Sequence, residues 1–166
     1  GDRVDEFADQ IAAHFAAAGA TREEAEWQGR AGKSAANRFA LSEAVRALSR
    51  ALELLAPDDK AARYDMLLER TKVYDLQATR ELQEADLIAL ERLAIDMDDF
   101  RKRAVVSNQW AHYHLKTGAY EQARRYGEQG YGFADRADDN SLRALSLLYQ
   151  GNALMFLGDY PMAQTL

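Results

Sequence analysis

The chain has 166 residues, 48% of them hydrophobic and 29% charged, with a net charge of -6, the balance of an ordinary globular protein long enough for one domain or a short repeat array. The negative charge argues against a nucleic-acid partner, because phosphate backbones draw basic surfaces. The absence of Cys excludes a disulfide framework, thiolate metal sites and a thiol nucleophile. No apolar run approaches the roughly 18 residues that span a bilayer and no secretory signal opens the chain, so a cytoplasmic protein without a membrane partner is expected.

Alanine is abundant, Val and Ile are scarce, and Pro57 and Pro161 are the only prolines, a mixture that favours helix. Val4, Phe7, Ala8, Ile11, Phe15 and Ala18 fall on one face of a predicted first helix over 3–18. Thr21 with Glu24, following Gly19, reads as a capping box that opens a second helix over 22–37. Ala44, Leu48, Ala51, Leu52 and Leu55 give the apolar face of a third, 41–55, which Pro57-Asp58-Asp59 ends while starting a fourth over 59–77. A fifth covers 80–96, and Asp98-Asp99 opens a sixth over 99–116. The seventh, 120–136, sets Tyr120, Ala123, Gly127, Gly130, Tyr131 and Ala134 on one face, where the glycines allow a neighbour to approach closely. Asp138-Asp139-Asn140 opens the eighth, 140–157, apolar on more than one side as suits a helix between neighbours. A ninth begins at 160, and no segment reads as a strand. The loops are short, which makes successive helices antiparallel neighbours.

The helices recur. Turn signals fall at residues 39, 78, 118 and 158, in Phe39-Ala40-Leu41, Ala78-Thr79-Arg80, Gly118-Ala119-Tyr120 and Gly158-Asp159-Tyr160, about forty residues apart. Seven residues before each lies a small or short residue, Gly32, Thr71, Ala111 and Gly151. Such a residue lets the second helix of a hairpin pack close. The reading is one repeat domain over 1–166, with a leading helix at 3–18 and repeats at about 22–57, 59–97, 99–138 and 140–166. The last repeat is incomplete, so the chain is expected to be a piece of a longer protein with an uncovered end that a second copy would fit.

A small residue, a Gly-Asp-Tyr-like turn and an Ala five residues after the Gly together resemble the tetratricopeptide repeat. Gly151, Gly158, Tyr160 and Ala163 carry the pattern, as does the segment from Arg30-Ala31-Gly32-Lys33 to Leu55-Ala56-Pro57. The period is longer than usual and resembles repeats of large bacterial signalling proteins, where they follow an ATPase module in regulators of transcription or in nucleotide cyclases. Ile11 to Gly19 looks like the helix that begins such a block. The second repeat departs from the pattern: Ala78 replaces Gly, Arg80 replaces the turn aromatic, and the second-helix alanine reads as shifted to Ala85. The resemblance implies an all-α, right-handed superhelix of antiparallel hairpins with no catalytic residue, and a concave groove that binds a peptide or protein segment.

With the first helix of each hairpin facing inward, residues four apart give Gly29, Lys33 and Asn37 in the first repeat. They give Leu68, Lys72 and Asp75 or Leu76 in the second, Asn108, His112 and Lys116 in the third, and Leu148, Asn152 and Phe156 in the fourth. The partner-binding set is therefore Lys33, Asn37, Lys72, Asn108, His112, Asn152 and Phe156, with Asn offering both donor and acceptor to a bound backbone.

Other chemistry has less support. Gly32-Lys33-Ser34 ends like a phosphate-binding loop, but Trp27 stands where the first Gly belongs and the flanks read as helix. His112 and His114 are two apart and point to different sides of a helix, and His14 has no partner at ligand spacing, so no metal site is expected. The acidic pairs read as helix caps rather than calcium loops. Arg101-Lys102-Arg103 neutralises Asp98-Asp99, and Trp27 and Trp110 read as core. The expected function is a protein-interaction or sensing module of a larger signalling protein, without cofactor or catalysis. Its partner is a protein, a peptide or another domain of the same chain. A homo-oligomerisation module is the alternative, and a nucleotide-binding enzyme a remote one.

Overall fold

A computed structural model describes residues 7–165. Among them the chain is all-α, with helices α1 (Ala8–Ala17), α2 (Thr21–Asn37), α3 (Leu41–Leu54), α4 (Lys60–Gln77), α5 (Arg80–Asp96), α6 (Phe100–Lys116), α7 (Tyr120–Arg136), α8 (Asn140–Leu157) and α9 (Tyr160–Ala163). The expected helix over 3–18 is present from Ala8, and the part resting on Val4 lies outside the described residues. Internal contacts gather into two units, Gly1–Leu90 and Glu91–Leu166, with the division inside α5.

One local device makes most of the turns. The residues at 19, 39, 78, 98, 118, 138 and 158 all have positive φ, between 49 and 81. Around each, the backbone N–H donates to the carbonyl three residues back and the next N–H donates to the carbonyl five residues back, as in Gly19 to Ala16 with Ala20 to Phe15, and Asp138 to Asp135 with Asp139 to Ala134. This is the Schellman motif, which satisfies the last helical carbonyls and lets the next helix start at once. Glycine holds that position at 19, 118 and 158, but Phe39, Ala78, Asp98 and Asp138 hold it against the Cβ clash of left-handed backbone. Phe39 is also 76% exposed, so its ring returns little packing. Phe39→Gly should raise unfolding free energy by on the order of 0.5–1 kcal/mol, read by urea unfolding; a loss of stability would mean that the ring packs.

The turn between α3 and α4 differs. Leu55 is extended, at ψ 131, because Pro57 lacks the N–H that a continuing helix needs. The orphan carbonyls of Leu52 and Leu55 instead accept from Arg63 Nη1, at 2.9 and 3.1 Å.

Helix starts divide into two kinds. Asp59, Asp99, Asp139 and Asp159 accept from the backbone N–H three residues on and cap α4, α6, α8 and α9. The capping box expected at Thr21 is not formed. Ala20 is the cap residue and makes no side-chain bond. Glu24 turns to α3 and accepts from Arg50 Nε at 2.9 Å, so its carboxylate serves a helix-to-helix tie instead.

These caps predict an acid response in the second unit. Burial alone would raise the Asp99 carboxyl, but the Lys102 backbone N–H and ammonium hold it below the usual carboxylate value. The Leu142 N–H and then the Arg101 guanidinium do the same for Asp139. A carboxyl depressed in the folded state adds stability that is fully present above its unfolded value, near about 4, and is lost as pH falls through the lower folded value. Asp99→Asn with Asp139→Asn should therefore flatten the fall in unfolding free energy between about pH 5 and pH 2. An unchanged acid limb in denaturant titrations would contradict it.

In the first unit, Ala35, Ala44, Leu48 and Val73 form a core shared by α2, α3 and α4, and Ala8, Ala31 and Ala47 join α1, α2 and α3 beside Trp27. A Cβ on Gly32 would lie 2.6 Å from Leu48 Cγ, the close approach that the small residue before the turn was expected to permit. Arg70 ties three helices: its Nε and Nη2 donate to the Asp86 carboxylate at 2.8 and 2.7 Å, and its Nη1 donates to Ser49 Oγ at 2.8 Å.

The second repeat keeps its register, and the expected shift to Ala85 is not found. Ala85 is exposed, and Gln83, five residues after the turn at Ala78, fills the place with no exposed surface. A buried amide needs partners. Arg80 donates to Gln83 Oε1 and to Asp75 Oδ1, and Gln83 Nε2 reaches Asp75 Oδ1 at 3.5 Å. The arginine in the aromatic's place is what makes a glutamine tolerable there.

In the second unit α6, α7 and α8 pack as consecutive neighbours. Trp110 stacks on Tyr126, and Phe100 on Phe133, so α7 runs back along α6. Gly127 lies against Gln150 and Gly130 against Ser146, so α8 runs back along α7. Between α6 and α8 the partners are Arg101 with Asp139 and Asn108 with Ser146, each 38 residues apart. Partners that follow in the same order along both helices mark α6 and α8 as parallel.

Candidate functional site

The face expected to work is that of the first helix of each hairpin: α2 and α4 in the first unit, α6 and α8 in the second. Between α2 and α4 lies a cleft of about 280 Å³. Its α2 wall carries Arg22, Glu26, Arg30 and Lys33, its α4 wall Ala62, Asp65 and Met66, and Ala25 and Leu55 add apolar floor. A second space of about 410 Å³ shares Arg22, Ala25, Leu55 and Asp59 and runs on towards the turn before α4.

Local sequence explains this composition. Arg22, Glu26, Arg30 and Lys33 are spaced by three or four residues and so share one stripe of α2. Gly29 is buried beneath Met66, whose Sδ would lie 2.6 Å from a Cβ there, and this lets α4 come close enough to form the facing wall. The Arg30 guanidinium lies 4.3 Å from the centroid of Trp27, which fixes it by cation–π attraction. Arg22, Glu26, Lys33 and Asp65 carry no ion pair among the described residues. The cleft thus offers both signs of charge over an apolar base.

Of the residues expected here, Lys33 lines the cleft. Asn37 is exposed further along α2, and Lys72 is exposed on α4 with its ammonium 3.0 Å from Glu69. Neither lines the cleft. Arg22, Glu26, Arg30, Asp59 and Asp65 lie outside the expected face, which on α2 ran through Gly29, Lys33 and Asn37. Steps of four back from Gly29 reach Ala25 and Thr21, whereas Arg22, Glu26 and Arg30 form a neighbouring series one residue further round the helix.

In the second unit Asn108 is buried rather than facing a groove. It is 1% exposed, its Oδ1 accepts from Ser146 Oγ at 2.8 Å, and its Nδ2 donates to the Leu142 carbonyl at 3.4 Å. It joins α6 to α8. His112 is half-buried with its ring 5.8 Å from that of Tyr149. Asn152 is half-buried. Phe156 is 64% exposed and stacks on Tyr120 at 4.7 Å. His112, four residues after Asn108, lies on the same side of α6 as that tie.

His114 is half-buried and stacks with Trp110 and Tyr126 at 5.5 and 5.3 Å. Tyr126 also lines a space of about 330 Å³ with Glu91, Gln122, Arg125 and Gln129. Burial, and then the negative charge of Glu91, push its phenol pKa up.

Gly32-Lys33-Ser34 lies within α2, whose backbone N–H groups bond along the helix instead of curling about a phosphate. Among the described residues no three His, Cys, Asp or Glu side chains are placed to hold one metal ion, and no helix is long and apolar enough to cross a membrane. No protein-family model matches the chain, and no curated protein matches it.

Proposed function

We propose that the chain is a tetratricopeptide-type array, of the kind that winds into a right-handed superhelix, and that it binds a peptide or protein segment along the first-helix face. In this reading it catalyses nothing and serves as the sensing or scaffolding part of a larger cytosolic signalling protein. The segment it holds belongs to another protein or to another domain of the same polypeptide. The observation that supports this most is the α2–α4 cleft, where the charges of Arg22, Glu26, Lys33 and Asp65 lie over Met66 and Leu55. Charged groups around an apolar base set register and orientation, while burial supplies most of the affinity.

Peptides selected from a random display library against the 166-residue chain test it. Arg22→Glu with Lys33→Glu should weaken the selected peptides by about tenfold, or 1.4 kcal/mol, and the loss should shrink at high salt. Binders indifferent to both substitutions would remove the cleft from the mechanism.

A further inference from the structure

The charges of the α2–α4 cleft stand in a fixed order, and that order describes the segment that would fill it. Arg22 and Asp59 line both spaces of this face, and Gly29 lies against Met66 further on. The two pairs are separated by the same number of residues, so α2 and α4 run parallel with Arg22 level with Asp59. At about 1.5 Å per residue, Glu26 stands about 6 Å above that level, Asp65 about 9 Å, Arg30 about 12 Å and Lys33 about 16 Å. Arg22 and Asp59 oppose each other and cancel. Above them comes an acidic zone, Glu26 on one wall and Asp65 on the other, and then a basic zone along α2. The centres of the two zones lie about 7 Å apart. Glu26, Lys33 and Asp65 carry no ion pair among the described residues, so none has to be broken for a ligand to enter. Arg30 is held in place by the ring of Trp27, which lowers the cost of ordering it on binding.

The cleft fits an extended segment better than a helix. A helix in a groove sets an apolar face against an apolar floor. Here the apolar surface is Ala25, Leu55, Ala62 and Met66, with exposed Arg22, Glu26, Lys33 and Asp65 rising beside it. An extended segment sends every second side chain to one face, at steps of about 7 Å. That step matches the distance between the acidic and basic zones. A Lys or Arg reaches Glu26 and Asp65 while an Asp or Glu two residues away reaches Lys33 and Arg30. The same segment with its two charges exchanged meets like charges at both places, which rejects it.

We infer, on the reading that this cleft holds a peptide, that its occupant is an extended segment with one basic and one acidic side chain two residues apart. The basic one lies towards the start of α2 and the acidic one towards its end. Peptides selected against the chain should carry such a pair, and neutralising either member should weaken binding by up to about fivefold, the upper range for an exposed ion pair. Charge reversal then reads the register. Lys33→Glu should be rescued by a peptide whose acidic residue is made Lys, and Asp65→Lys by one whose basic residue is made Glu. The crossed combinations should not be rescued. Both positions are exposed, so the variants should melt at the temperature of the parent. Binders that respond to cleft substitutions but carry no such pair, carry it three or four residues apart as a helix would, or are rescued in the crossed sense would overturn this inference and leave the cleft reading in place. A library without binders, or binders indifferent to every cleft substitution, would overturn both.

Discussion

Gly127→Ala should destabilise the second unit by about 2–3 kcal/mol, although the same exchange in an open helix gains about 0.5–1 kcal/mol. The reason is that the new Cβ would stand 2.7 Å from Gln150 Cγ, 3.1 Å from the Ser146 carbonyl oxygen and 3.2 Å from the Gln150 nitrogen. Two of those three atoms belong to the backbone of α8, so no rotamer change relieves the clash and the helices must separate. Separation in turn strains the bond from Ser146 Oγ to Asn108, which crosses from α8 to α6. Gly132→Ala is the matched control. It lies in the same helix, with nothing within 4 Å of its Cβ, and should show the helix-propensity gain. Urea unfolding in a Trp27→Phe background, where Trp110 alone reports, measures both. Equal effects of the two substitutions would mean that α7 and α8 do not approach as described.

Arg70→Met should cost the first unit about 3–5 kcal/mol, the range for stripping one partner from a buried ion pair. The Asp86 side chain is only 7% exposed and that of Arg70 18%, so water does not replace the lost guanidinium. Burial works against the Arg70 charge, but the hydrogen bonds and charge of Asp86 outweigh it and raise its pKa. The guanidinium is therefore charged in the folded protein. Replacing both, as Arg70→Met with Asp86→Leu, should restore most of the loss, because no orphan charge remains and two apolar side chains fill the space. Unfolding followed by Trp27 in a Trp110→Phe background reads the cycle. A single variant no worse than the double would show that water reaches Asp86.

The two glycines at 127 and 132 also show what sequence conveys. The helices were legible because apolar spacing, acidic caps and short turns all agreed. Gly127 read as a close-packing position because it lies in line with Ala123, Gly130 and Ala134, all buried, while Gly132 falls outside that line. What stayed hidden depends on partners far along the chain. Asn108 reads as a polar groove residue until Ser146 and Leu142 are brought beside it from 38 and 34 residues away. Gln83 looks wrong for an alanine position until Arg80 and Asp75 are seen to bond its amide. Glu24 looks like half of a capping box until Arg50 draws it to α3. In each case a polar side chain on a helix had two physically sound uses, and tertiary packing chose between them. The cleft was half legible: Lys33 was named, but its α4 wall needed Met66 to settle on Gly29, a contact that no periodicity contains.

The central claim is that the first-helix face is the working surface. A photo-activated cross-linking amino acid placed at Lys33, which lines the cleft, or at Glu43, exposed on α3, tests it most directly with a peptide selected against the chain. Cross-linking from position 33 that unlabelled peptide abolishes, with none from position 43, is the predicted result. Capture from position 43 and not from position 33 would contradict the account.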